Sequence, residues 1–210
     1  MTELQIVKID MIKDIDTFIN IPWLIYKDNP NWVPPLRIAV KELFKSKHPF
    51  FEVGDIDLYI AYKDNKAVGR IGAIINHAHN EFWQDKVGFW GFFECIDDRS
   101  VSQALIERAE KTLRKNGMTT FRGPVNPSTN YECGLLLSGL NDPPQIMMTY
   151  NPDYYESHLT KVGYQKVKDL LAYQIDLSFK MPERITRIAQ RIEKSKKVTY
   201  RFVNKKKWHK

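Results

Sequence analysis

The sequence predicts an α/β protein of the α+β kind, with a mixed central sheet flanked by helices. Three observations carry that reading. DLYIAY (57–62) and AVGRIGAII (67–75) flank the polar turn KDNK, the pattern of an antiparallel hairpin. GFWGFFECI (88–96) is apolar on both faces and passes through a polar loop into an amphipathic helix ended by Gly117. A second helix, over 153–162, ends at Gly163.

Taken in order, LQIVKI (4–9) alternates and reads as a first strand. Residues 11–20 have helix character, with Ile15, Phe18 and Ile19 on one side. IPWLIYKDNPNWVPPL (21–36) is rich in Pro, Asn and Trp and reads as largely irregular. Proline suits a first helical turn, so a helix is expected over 35–46. In the buried strand, alternation puts Trp90, Phe92, Glu94 and Ile96 on one face and Phe89, Gly91, Phe93 and Cys95 on the other. The helix from Val101 to Asn116 carries the stripe Val101, Leu105, Ala109 and Leu113. A strand over 118–123 precedes a long polar segment, 126–151, of the kind compact domains keep for function. YQKVKDLLAYQIDL (164–177) reads as a closing strand. A basic amphipathic helix (182–195) and a strand, VTYRFV (198–203), follow.

Hydrophobic residues are 43% of the 210 and aromatics 12%, enough for a real core. No apolar run reaches the roughly 18 to 20 residues that span a bilayer. The start, MTELQIVKIDMIKD, lacks a secretory pattern, so a cytoplasmic location without membrane is expected. Cys95 and Cys133 read as free thiols. The net charge of +7 is unevenly spread. Residues 179–210 carry 12 Lys+Arg against two Glu, while the rest is mildly acidic. A nucleic-acid surface is therefore not expected, and the basic tail reads as a solvated face. The division expected is 1–178 for the main domain and 179–210 for a helix plus strand that resembles the start of a second one. A homo-oligomer stays open, because the tail's apolar face could pair with another chain.

The order of elements over 55–178 resembles the GNAT superfamily of N-acetyltransferases. The hairpin, the unit GFWGFFECIDDRSVSQALIERAEKTLRKNGM and the helix-to-strand unit ending KVGY carry the resemblance. HPFFE, VGRIGAIIN, GFWGFFE, RGPVNPSTNYECGLL and MMTYNPDYY are more specifically similar to a bacterial family of tandem GNAT-like proteins. The resemblance implies an acyl-CoA N-acyltransferase, with acetyl-CoA as co-substrate and a small-molecule or peptide amine as acceptor. It places the donor where the central strand splays from its neighbour. The diphosphate then lies on backbone N–H groups at the next helix's start, where orphan donors and the dipole favour anions. Ile96, Arg99, Ser100, Ser102 and Gln103 occupy those positions, and Asn126 falls where the family contacts pantetheine. The family loop is usually Q/R-x-x-G-x-G/A. Here it has no glycine and carries Asp97 and Asp98, so Asp98 or Ser100 capping the helix is the competing reading.

Acyl transfer to an amine needs a base, donors for the thioester oxygen and an acid for the thiolate. Glu94 is the candidate base, because an apolar setting raises a carboxyl toward neutrality; a hydrogen-bonded structural carboxylate is the alternative. The family's tyrosine acid falls on Leu159, so Tyr150, Tyr154 and Tyr155 are the substitutes, against plain packing and loop anchoring. Asn130 and Glu132, in a loop of small polar groups, are candidate substrate contacts, against turn chemistry. His77 and His79 read as a solvated turn and no metal site is expected. A GNAT-fold ligand- or partner-binding protein without catalysis is the competing function.

Overall fold

The hairpin forms where alternation placed it and organises the sheet. The computed structural model describes residues 3–176, 178, 180–195, 199 and 201–204. Strand β2 (Gly54–Lys63) and strand β3 (Lys66–Asn76) pair antiparallel through a turn with Asp64 and Asn65 at φ 50° and 61°. Asp and Asn tolerate the left-handed region, which suits this turn to a twisted hairpin. Strand β1 (Leu4–Lys8) adds antiparallel to β2, and strand β4 (Val87–Cys95) adds antiparallel to β3. Strand β5 (Thr120–Arg122) pairs parallel with the first part of β4. The order is β1-β2-β3-β4-β5, a mixed five-stranded sheet.

Each face of the sheet buries one apolar cluster. Helix α4 (Arg99–Lys115) lays Val101, Leu105, Ile106, Ala109 and Leu113 on one face, and helix α5 (Tyr154–Val162) adds Tyr155 and Leu159. Helix α1 (Ile15–Ile25) covers the other face with Ile15, Phe18, Ile19 and Ile21, joined by Phe44 and Phe50. Helix α2 (Arg37–Glu42) follows α1, and Pro49–Glu52 makes one 3-10 turn before β2. The expected mixed sheet with flanking helices is therefore present, an α+β arrangement.

Four expectations are corrected. The first helix spans 15–25 rather than 11–20 and contains Pro22. Proline leaves the Phe18 carbonyl without its helical donor, and Arg70 supplies one instead, Nη1 to O at 2.9 Å. HAHNEFW forms a helix, α3 (His77–Trp83), rather than a turn, capped by the Asn76 side chain on the His79 N–H. The simple alternation of β4 fails because Phe92 and Phe93 together face Ile71, a bulge with Phe92 at φ 51°. Trp90, Phe93 and Cys95 therefore share the α4 face, while Phe89 and Phe92 face α1. Lastly, 164–176 holds no regular strand; Leu170, Leu171, Tyr173 and Ile175 are exposed.

Two compact units divide the chain, Met1–Lys168 and Asp169–Lys210. The second contains helix α6 (Glu183–Lys194), whose Ile185, Ile188 and Ile192 line one side. The expected strand over 198–203 falls partly outside the described residues; 199 and 201–203 are not in regular structure.

Candidate functional site

Parallel pairing of β4 and β5 stops at Phe89–Arg122. The cis Gly123–Pro124 bond follows, and Val125 N–H still reaches the Trp90 carbonyl at 2.9 Å. Gly91 lets the two backbones meet, since a Cβ there would collide with the Val125 carbonyl. Beyond this point the end of β4 and the 124–151 segment enclose a cleft of about 300 Å³. Phe92, Phe93, Glu94, Asn126, Glu132 and Tyr155 line it, with Arg70 from β3.

The bulge turns Glu94 to the α1 side, opposite Arg70. The Tyr155 and Tyr26 hydroxyls both donate to Glu94 Oε2, at 2.7 and 2.8 Å. Arg70 Nη2 stands 3.9 Å from Oε1. Tyr155 Oη also accepts the Cys95 N–H at 2.8 Å, so its hydroxyl is fixed at both ends. The Glu94 side chain is 13% exposed. Burial pushes its carboxyl up to about 7, against the pull of Arg70, Tyr155 and Tyr26. Burial and the nearby carboxylate push both tyrosines well above the ordinary phenol range. Burial lowers Arg70, opposed by Glu94, and its Nε has no hydrogen-bond partner. Arg70 also lies 4.9 Å over the Phe18 ring.

Other sequence candidates are placed differently. Glu132 lines the cleft and is exposed, its carboxyl raised by desolvation against the pull of Arg70 and Asn126. Asn126 Oδ1 accepts the Phe92 N–H at 2.5 Å and so bridges the strands just where they part. Asn130 is exposed, its N–H on Ser128 Oγ. Tyr150 lines the cleft, but its hydroxyl anchors the loop to the Leu140 carbonyl and Asn29. Leu159 is core. Tyr26 and Arg70 were missed. The signal for Arg70 was present, a lone charge inside the apolar strand VGRIGAII; Tyr26 lay in a stretch read as irregular.

The start of α4 tests whether a donor's diphosphate fits. Asp98 is its N-cap, and Oδ1 accepts both the N–H and the Oγ–H of Ser100, at 2.8 and 2.6 Å. Lys63 Nζ lies 2.7 Å from Oδ2. Lys63 and Ser100 hold the Asp98 carboxyl down at about 2, so it is charged at every working pH. The N–H groups of Val101 and Ser102 bond the Asp98 carbonyl. Ser102 Oγ donates to the Arg99 carbonyl, Gln103 bonds Glu107, and the Ile96 N–H bonds Val68. At an effective dielectric near 20, each pair of like charges about 5 Å apart repels by about 3 kcal/mol. Arg99 Nη2 reaches the Lys161 carbonyl at 3.5 Å, and the capped N–H groups beside Asp97 and Asp98 do not fit a diphosphate.

A mixed sheet of this order, with β4 bulged and parting from β5 above an acidic cleft, is the fold of the GNAT acetyltransferases. Among solved structures, the chain is similar to an aminoglycoside acetyltransferase from an uncultured soil metagenomic sample in complex with sisomicin. The TM-score is 0.51 at 9% identity, over 83% of this chain and 96% of that one. A tandem GNAT protein from the clavulanic acid biosynthesis pathway gives 0.53 at 15%, over 77% of this chain and 43% of that one. A predicted acetyltransferase with acetyl-CoA from Clostridium acetobutylicum gives 0.50 at 11%, over 82% and 96%. No family model matches the chain. Two curated proteins are similar in sequence. Protein YghO of Escherichia coli (strain K12) is 34% identical over 198 residues, 93% of this chain and 50% of that protein. Bacterial ceramide synthase of Caulobacter vibrioides is 32% identical over 191 residues, 90% and 49%. The chain spans about half the length of these curated relatives. Among the described residues, no helix is long and apolar enough to cross a membrane.

Proposed function

We propose that this chain serves N-acyl transfer from an acyl thioester to an amine that carries an apolar chain, with Glu94 as the base. The observation that carries the reading is Glu94 itself, buried at the cleft, held by two tyrosine hydroxyls and poised near neutrality. A base of that kind takes a proton from an ammonium at ordinary pH. Glu94, Glu132 and Arg70 together leave one negative charge uncompensated when both carboxyls are ionised, which an acceptor ammonium would balance. Glu94 takes the proton, and the freed nitrogen lone pair becomes the nucleophile. The acyl thioester supplies the carbonyl that it attacks. The C–N bond forms, the C–S bond breaks, and the thiolate leaves with the proton that Glu94 took, as free thiol, while the amide nitrogen sheds its second proton to solvent. The acetyl-CoA in the Clostridium structure supports a thioester as donor.

The walls support the acceptor class. Val33, Ile146 and Met147 line the mouth at 55%, 95% and 63% exposure, with Trp32 and Met148 beside them. Such a rim suits a hydrocarbon chain with its polar end inside. One similar protein is named a bacterial ceramide synthase, which supports an acceptor of lipid character. Tyr26 and Tyr155 act as positioning residues that keep Glu94 oriented. Thiol release from an acyl-CoA in the presence of a long-chain primary amine tests the reading. Wild type should release thiol, and Glu94→Gln should be slower by about 100-fold or more. Equal rates would remove Glu94 as the base. Amine binding without catalysis is the second reading, favoured by the filled start of α4; it predicts amine binding and no thiol release by either protein.

A further inference from the structure

The donor side of this fold is filled by the chain's own groups. Past the paired stretch, the Phe92 N–H goes to Asn126, the Cys95 N–H to Tyr155, and the Cys95 carbonyl accepts the Tyr154 hydroxyl at 2.8 Å. These are backbone groups of β4 beyond its pairing with β5, and each is already held by a side chain. At α4, the Asp98 carboxylate holds the partners that a phosphate oxygen takes: one backbone N–H, one hydroxyl and one ammonium. Asp97 adds a second carboxylate beside it, 3.2 Å from His158 Nε2.

We propose that Asp98 stands in for the donor's phosphate, so that this chain takes an acyl thioester without gripping the nucleotide of CoA. No glycine in 96–103 lets a diphosphate approach the backbone more closely, and the N–H groups of Ser100, Val101 and Ser102 already have acceptors. Binding energy from the nucleotide, on which an N-terminal phosphate site would draw, is absent here. Only the word thioester rests on the acyl-transfer reading; the absence of nucleotide binding stands without it.

Titration calorimetry on the full chain with CoA, and separately with inorganic pyrophosphate, tests the proposal. Wild type should bind neither up to about 1 mM. Asp98→Asn keeps a side-chain acceptor at the cap while removing the charge, so it should fold and gain CoA affinity by about tenfold or more. In the thiol-release assay, an acyl-CoA and the same acyl group on N-acetylcysteamine should differ in kcat/KM by less than about threefold. A wild-type Kd for CoA below about 100 μM, no gain in Asp98→Asn, or a preference for acyl-CoA beyond about 100-fold would overturn it. Failure of the acyl-transfer reading shows separately, as no thiol release from either donor, and the calorimetry still decides this proposal.

Discussion

Glu94 faces two opposed influences whose balance is measurable. Burial favours the neutral acid, while Tyr26, Tyr155 and Arg70 favour the carboxylate. Hydrogen bonds to a charged group contribute about 1.5–3 kcal/mol. Tyr26→Phe or Tyr155→Phe should therefore raise the Glu94 pKa by about one unit and move the rising limb of a pH–rate profile to higher pH. An unmoved limb would show that the hydroxyls do not stabilise the carboxylate. The stability sign follows from the same shift. The folded value, about 7, lies above the ordinary glutamate value of 4.5, so the native state binds the proton more tightly. This contribution is fully present below the unfolded value and is lost as pH rises through the folded one. Between pH 5 and 8, wild type should lose on the order of 2–3 kcal/mol relative to Glu94→Gln, read from denaturant melts. Parallel pH profiles of the two proteins would contradict the raised carboxyl.

At the scale of elements, β4 and its bulge position the site. Gly91→Ala should cost about 2–3 kcal/mol or more, because its Cβ would meet the Val125 carbonyl and Asn126 Oδ1. Denaturant melts check this, and an unchanged midpoint would mean that β4 and the segment after β5 do not meet so closely. Apolar periodicity made β4, α4 and the hairpin legible, since their cores follow simple spacing. The bulge was not, because Phe92 gives no sign of a left-handed residue where glycine or asparagine would. Hence Glu94 lies on the strand expected of it but among other neighbours: Tyr26, Tyr155 and Arg70 rather than Trp90. Pro22 masked the second half of α1, and with it Tyr26. The alternation in 164–177 was real as a pattern, yet a strand also needs a neighbour for its hydrogen bonds, and the sheet ends at the short β5.

Taken whole, both apolar clusters lie within Met1–Lys168. A fragment of residues 1–168 should therefore unfold cooperatively, with a Tm within about 5 °C of the corresponding transition of the full chain. Loss of cooperative melting would place part of its stability in 169–210. The proposed function, too, centres on this unit, in a cleft lined by Glu94 with an apolar rim. The measurement closest to that claim is a carboxyl-carbon NMR titration of glutamate-labelled protein, with and without dodecylamine. One glutamate should titrate near 7, vanish in Glu94→Gln, and fall by about one unit when the amine binds, since an ammonium favours the carboxylate. A Glu94 that titrates in the ordinary range of about 4–5, or that ignores the amine, would contradict the account.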